Sequence, residues 1–367
     1  MFSKLKRAAL LAGMSALLVS GAACAAFFRP EVRPGYGVTK VGWLSDYHAP
    51  LKGTNLDTPV FYLEGKKPGA TMLILGGTHP REIAGHTGAL TFIENANVSE
   101  GRLIVIPALN ASGYSVHDES TQVPRLLRVP CRSGYRYLPF GDRRVDPADQ
   151  PNDPDQYKHQ SGATIPNSKG HDGAEMRNIN RNYPGLPDGT PTQQAAYAVM
   201  EIVRRENVVL SIDMHESDTP TWSYSRTTGK PYHGGRLAYM LVCNPKDEAM
   251  ELGAEAVVDV TDRVGLDLKI EPSNPAFRGL SHLEIGNATP CLSFLFETPN
   301  PAQDSWREAP DPVDDPRFPL KHRVGLQCEV FCELVNLYNE SHDAHLVIEN
   351  VPDYKTLMSD GLGKWLN

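Results

Sequence analysis

Short apolar runs alternate along the chain with longer stretches of mixed polarity, and this alternation sets the fold expectation before any single residue is weighed. Val60 to Leu63, Thr71 to Leu75, Leu103 to Pro107, Val208 to Ile212 and Cys291 to Phe296 are of strand length and almost wholly hydrophobic. Such runs read as strands covered on both faces. Helices are predicted to begin near Glu82, Pro191, Pro245 and Pro319. Thr190 places a capping hydroxyl ahead of Pro191, which suits a first helical turn. From about Leu320 to Asn339, Val324, Phe331, Leu334, Val335 and Tyr338 recur with helical period and read as core. Strands alternating with helices predict an α/β fold: a mixed, mainly parallel central sheet flanked by helices.

The polar residues that follow these runs carry the candidate chemistry. In TMLILGGTHPREIAG the run ends in two glycines and then presents His79 and Glu82 three positions apart. In VVLSIDMHES a second run is followed by Asp213 and His215. Two imidazoles and one carboxylate can close around a single zinc ion and leave its fourth position open, the pattern of a catalytic rather than a structural site. Ligands of open α/β sheets gather at the carboxyl ends of the strands, where all of these residues fall. Asp213, two residues before His215, projects on the same side of a strand and reads as the group that orients an imidazole. Glu297, at the end of CLSFLFE, is placed to take a proton from zinc-bound water and return it to a leaving amine. In MRNINRNYPG, Arg181 and Asn180 offer a guanidinium and an amide to a substrate carboxylate.

Composition narrows the field. The 367 residues carry a net charge of -8, and a sequence pI near 5.8 gives no basic footprint for nucleic acid. Lys4, Lys6 and Arg7 precede an apolar stretch from Ala8 to Val19 and small residues from Gly21 to Ala26. Residues 1–26 therefore read as an export signal, cleaved at Ala-Cys-Ala, with the mature chain periplasmic or secreted. The apolar stretch is short for a bilayer span, so no stable membrane span is expected after cleavage. Lipidation of Cys24 is an alternative that Gly21 disfavours. Five cysteines remain, Cys131, Cys243, Cys291, Cys328 and Cys332, without a CxxC spacing, so a disulfide scaffold and a cysteine-held zinc are both disfavoured. Residues 110–178 are rich in Pro, Gly, Asp and Arg and are predicted to form a long loop region walling a substrate cleft. The expected organisation is an N-terminal extension over 27–59, one catalytic domain over 60–340 and a C-terminal tail over 341–367.

HPRE at 79–82, NINRNYP at 178–184, SIDMH at 211–215 and FLFET at 294–298 form an ordered set. It resembles the zinc carboxypeptidase superfamily, which includes the succinylglutamate desuccinylase and aspartoacylase branch. IPALNASGY at 106–114 is similar to that family's Asn-Pro-Asp-Gly turn. The resemblance implies that His79, Glu82 and His215 bind one Zn2+, that Glu297 is general base and acid, and that Asn180 and Arg181 hold the substrate's terminal carboxylate. It also implies an arginine for the oxyanion, drawn from Arg125, Arg128, Arg132, Arg136, Arg143 and Arg144, with Arg128 taken as the candidate. Two departures stand out. Asn178 occupies a position where the family commonly has an aspartate that steadies a zinc-bound histidine. The family's substrate-covering tyrosine has no clear match, and Arg278 and His282 in FRGLSH fall in its interval as substrate contacts.

Two functions of different class follow. The first is a zinc hydrolase cleaving an amide bond next to a free carboxylate, on a small peptide or an acyl-amino acid. The second is a metal-containing binding protein of the same fold without turnover, which an intact Glu297 disfavours.

Overall fold

The apolar runs become the middle of one sheet. The computed structural model describes residues 29–153, 157–158, 164–165, 173–224 and 228–367; the expected export signal, 1–26, lies outside them. The strands are β1 (Lys40–Trp43), β2 (Pro59–Glu64), β3 (Lys67–Leu75), β4 (Asn97–Ile106), β5 (Val208–Ser217), β6 (Met240–Cys243), β7 (Lys269–Pro272), β8 (Leu292–Pro299) and β9 (Val347–Glu349). Their order is β1-β2-β4-β3-β5-β8-β6-β7, with β9 beside β4. The central four, β4-β3-β5-β8, are parallel. Antiparallel partners flank them: β1 and β2 on one side, β6 against β8 on the other.

Helices cover both faces, as the near-continuous hydrophobic strands require. On one face α1 (Ile83–Asn95), α3 (Asp247–Val264) and α5 (Leu320–His342) pack on Met72, Ile74, Leu210, Ile212, Phe294 and Phe296. On the other, α2 (Pro191–Arg205) packs on Leu73, Leu75, Ile104 and Ile106. Met72 and Ile74 on one face, Leu73 and Leu75 on the other, is the two-residue alternation of a strand. The start of α2 is a capping box: the Thr190 hydroxyl accepts from the Gln193 amide and Gln193 Oε1 accepts from the Thr190 amide. The predicted stripe of α5 is buried at all five positions.

Chain order reverses at the centre. From β3 the chain passes through α1 to β4 on one side, and only later places β5 on the other. The carboxyl ends of β3 and β5 therefore border the crevice where an open sheet of this kind binds ligands.

Three boundaries differ from expectation. The supposed extension over 27–59 contributes β1 and buries Leu44, Tyr47, Leu51 and Leu56. The supposed tail over 341–367 contributes β9 and α6 (Tyr354–Asp360) and buries Leu357, Leu362 and Leu366. Both belong to the body of the domain; their elements are too short for a periodic signal. The 110–178 region holds a hairpin, Leu126–Cys131 with Gly134–Pro139. The five described cysteines are free thiols, and no helix among the described residues is long and apolar enough to cross a membrane.

One buried ion pair ties the helices to the sheet. Arg323 of α5 and Glu216 of β5 are paired with both side chains fully buried. The other Glu216 oxygen accepts from the Ala84 amide at 2.9 Å and from Asn300 Nδ2 at 3.0 Å. Removing the guanidinium leaves a buried carboxylate short of its counter-charge. Arg323→Met is expected to lower unfolding stability by about 3–5 kcal/mol, read as a lower urea midpoint with an unchanged slope; an unmoved midpoint would contradict this role.

Candidate metal centre and cleft

After Leu75 the chain must turn sharply to deliver His79 into the crevice. Gly77 does this with φ +62°, and a β-carbon there would lie 2.5 Å from the Tyr114 hydroxyl and 2.8 Å from the Pro107 carbonyl. Glu82 sits immediately before α1, its amide bonded to the His79 carbonyl at 2.8 Å. Within the first turn of α1, a β-carbon on Gly85 would come within 2.1 Å of the Met214 carbonyl. The bare glycine lets α1 lie against β5, and this approach carries Glu82 to His215. His215 is paired in register with Glu297 on the neighbouring parallel strand β8.

Three ligand atoms converge. His79 Nδ1 lies 2.7 Å from Glu82 Oε1 and His215 Nδ1 lies 2.8 Å from Glu82 Oε2. One donor atom from each of the three residues falls within 4.8 Å of the others. The outer ring nitrogens are held from behind. His79 Nε2 is 2.9 Å from Asn178 Oδ1, an oxygen that also accepts from the Asn180 amide at 3.0 Å. The other end of that amide, Nδ2, donates to Glu175 Oε2 at 3.1 Å. Oδ1 is thus the acceptor, and the proton of His79 belongs on Nε2. His215 Nε2 is 3.1 Å from Asp213 Oδ2, and Asp213 also accepts from Thr78 Oγ1 at 2.7 Å and Ser281 Oγ at 2.6 Å. With both rings protonated at Nε2 on their outer side, the two Nδ1 atoms and the Glu82 carboxylate point at one spot, where a shared proton or a bound cation can sit. The residues fit a three-ligand zinc site with an open position.

Electrostatics follow the same geometry. Burial alone would lower the His215 pKa, but Asp213 and Glu82 raise it well above the usual value. Burial would raise Glu82, yet His79 and His215 hold its carboxyl far below the usual range. Glu297 goes the other way: burial, then Glu82, push it up to about 8. Its Oε2 is buried without a hydrogen-bond partner among the described residues.

These groups open onto a cleft of about 600 Å³, where His79, His215 and Glu297 meet Asn180 and Arg181. Arg181 Nη1 donates to the Asn180 carbonyl at 2.6 Å, and its guanidinium lies 5.2 Å from the Phe277 ring. Burial lowers its pKa, and no carboxylate among the described residues forms an ion pair with it.

The sequence matches no family model and no curated protein. Among solved structures it is similar to the product-bound cell shape determinant protein Csd4 from Helicobacter pylori, at 10% identity and TM-score 0.47, covering 83% of this chain and 59% of that one. It is also similar to a succinylglutamate desuccinylase/aspartoacylase from Rhodobacter sphaeroides, at 15% identity and TM-score 0.39, covering 77% and 58%. A metallo-carboxypeptidase from Burkholderia cenocepacia matches at 10% identity and TM-score 0.44, covering 78% and 62%. The chain spans about three fifths of the length of these structures.

The structure brings together His79, Glu82, His215, Asp213, Glu297, Asn180 and Arg181, and places two expected residues elsewhere. Arg128 is exposed on the 126–139 hairpin with its guanidinium 3.4 Å from the Tyr135 ring centre, and it does not line the cleft. Arg278 is engaged by Glu284 through two bonds of 2.6 Å, which occupies the fork that a substrate carboxylate would need. The cleft wall also differs from expectation: among the described residues it comes from 218–237 and 271–282, not from 110–178. Nothing in the hydrophobic pattern marked those segments, because β6 and β7, which position them, are four residues each. Of the six candidate oxyanion arginines, Arg143 is the one whose charge acts on Arg181. It pairs with Glu175, and its carbonyl accepts from Asn110 Nδ2 at 3.0 Å, inside the turn that resembled Asn-Pro-Asp-Gly.

Asn178 does orient His79, as a neutral amide backed by Glu175. Asn178→Ala removes the acceptor for His79 Nε2 and is expected to weaken zinc binding by about 10- to 100-fold in competition with a chromogenic chelator. Unchanged affinity would show that His79 needs no such support.

Proposed function

We propose that this chain is an exported zinc hydrolase that cleaves an amide bond next to a free carboxylate, in a small peptide or an acyl-amino acid. The observation that carries the reading is the convergence of His79, Glu82 and His215 with Glu297 in register beside His215. A divalent ion held by the three ligands would supply Lewis acidity, polarising the substrate carbonyl and making water a stronger acid. Everything else is done by the chain.

Glu297 is the proton carrier. Its buried carboxylate, with one oxygen unpartnered, takes the proton from the attacking water and delivers it to the departing amine. A cation nearby would draw its pKa back down from the value that burial and Glu82 impose, so it serves as a base first and an acid second. Asn180 and Arg181 hold the substrate's carboxylate: among the described residues no carboxylate forms an ion pair with the guanidinium, and Arg181 lines the cleft. That contact fixes which amide bond reaches the centre. None of the six candidate arginines lines the cleft, so no arginine is assigned to the developing oxyanion. Asp213 and Asn178 keep the two imidazoles in the tautomer that turns Nδ1 inward.

Glu297→Gln is expected to lower kcat on acyl-amino acids and short peptides on the order of 10²- to 10⁴-fold, with zinc stoichiometry unchanged. Turnover that survives the substitution would remove the mechanism, and bound zinc without turnover of any substrate by the native chain would favour a binding role. Arg181→Ala is expected to raise KM at least about tenfold on substrates with a free carboxylate and to spare metal binding. Equal KM values in the two proteins would move the carboxylate site elsewhere.

A further inference from the structure

The chemistry above leaves two buried polar groups at the cleft without a task. His282, in the first turn of α4 (Ser281–Ala288), is 2% exposed, and neither ring nitrogen has a hydrogen-bond partner among the described residues. Ser273, just past β7, is 3% exposed, and its hydroxyl is likewise unpartnered. Both line the same cleft as Arg181 and Glu297. A buried polar atom left unpaired is costly, and a native site that keeps two of them at a ligand cleft is poised to pair them with a ligand.

The position of His282 is fixed by the centre itself and that of Ser273 by the sheet. Ser281, directly before His282, donates its amide to Asn180 Oδ1 at 2.8 Å and its hydroxyl to Asp213 Oδ2 at 2.6 Å. The start of α4 is therefore bound to a group that orients His215 and to one that faces the substrate. The Ser273 amide donates to the Cys243 carbonyl at 2.8 Å, which ties it to the end of β6. The same cleft lining carries Val242, Pro272, Leu280 and Leu295 together with Asp218, Arg236 and Glu271.

We propose that Ser273 and His282 read the side chain of the substrate residue whose carboxylate Asn180 and Arg181 hold, and select an uncharged hydrogen-bonding group such as a carboxamide. This rests on the hydrolase reading and adds a substrate class to it. A neutral imidazole offers one donor and one acceptor, and a hydroxyl offers both, which complements an amide's NH₂ and C=O. Burial, with His215 and Arg181 adding to it against the pull of Asp213, holds the His282 pKa down at about 3, so the ring is neutral. A purely aliphatic side chain would leave both groups unpaired, the situation in which a polar pocket rejects an analogue most strongly. A charged side chain would meet in Ser273 and a neutral His282 two groups that offer no counter-ion, and the nearby Glu284 carboxylate is already engaged by Arg278.

The test uses the metal-loaded full chain and benzoylglycyl dipeptides ending in glutamine, leucine, glutamate or lysine. The native protein is expected to prefer glutamine over each of the others by at least about tenfold in kcat/KM. His282→Leu should abolish or invert the glutamine-to-leucine ratio, Ser273→Ala should narrow it, and His282→Gln should retain most of it. A native preference for leucine, glutamate or lysine overturns the proposal, as does a ratio that neither His282→Leu nor Ser273→Ala moves. If no dipeptide is cleaved, the benzoylglycyl series is not a substrate, and calorimetric binding of free glutamine and leucine decides the pocket separately. Tighter binding of glutamine, lost in Ser273→Ala, supports it; equal or absent binding overturns it.

Discussion

The mutual approach of Glu82 and His215 is the constraint on which the rest of the centre depends. These residues lie on different elements, far apart in sequence, and their side chains meet at 2.8 Å. Neither could reach the other if α1 stood off the sheet by the width of a methyl group. The contact is set by backbone packing, and the donor atoms then follow with little freedom. Behind them, Asn178, Asp213, Thr78 and Ser281 complete a set of hydrogen bonds that leaves the inward nitrogens of both rings facing Glu82. Second-layer bonds of this kind determine which nitrogen carries the proton, and so whether a ring is a ligand at all.

The sheet supplies the crevice and the helices supply the enclosure. Parallel strands β3, β5 and β8 end side by side, and their last residues hold His79, His215 and Glu297 at one rim. Because the chain leaves β3 for β4 on one side and only later places β5 on the other, that rim lies where the strand order reverses. The buried pair of Arg323 and Glu216 sits directly behind it, so the carboxylate next to His215 is committed to structure. Adjacent acidic residues thus have different work: Glu216 anchors α1 and α5, while Glu82 faces the ligand cluster.

Much of this was legible in the chain. Four of the five apolar runs became the central parallel strands and Val60 to Leu63 became β2 beside them, since burial on both faces leaves an unmistakable hydrophobic signature. The polar residues at the ends of those runs were therefore assignable to one edge of one sheet. Legibility failed where elements are short or where pairing decides availability. β1, β6, β7 and β9 have three or four residues each and rely on neighbouring strands for definition. Arg278 looked like a substrate contact until Glu284 was seen to hold its fork. Arg128 looked plausible in a crowd of arginines because nothing in a local sequence tells which guanidinium points inward. Asn178 shows the reverse case: an apparent weakening of the family pattern turns out to keep the hydrogen bond while moving the negative charge outward to Glu175.

Gly85 gives the spacing of the centre an unusual origin. Most ligand-to-ligand distances in proteins are governed by rotamers, which can hop. Here the separation of the two ligand-bearing segments is set where the Cα of Gly85 abuts the Met214 carbonyl, a junction of main chains. Main-chain junctions in a packed interior have almost no alternative states. The pair of segments should therefore behave as a fixed-gauge jaw, holding its opening constant while loops around the cleft rearrange.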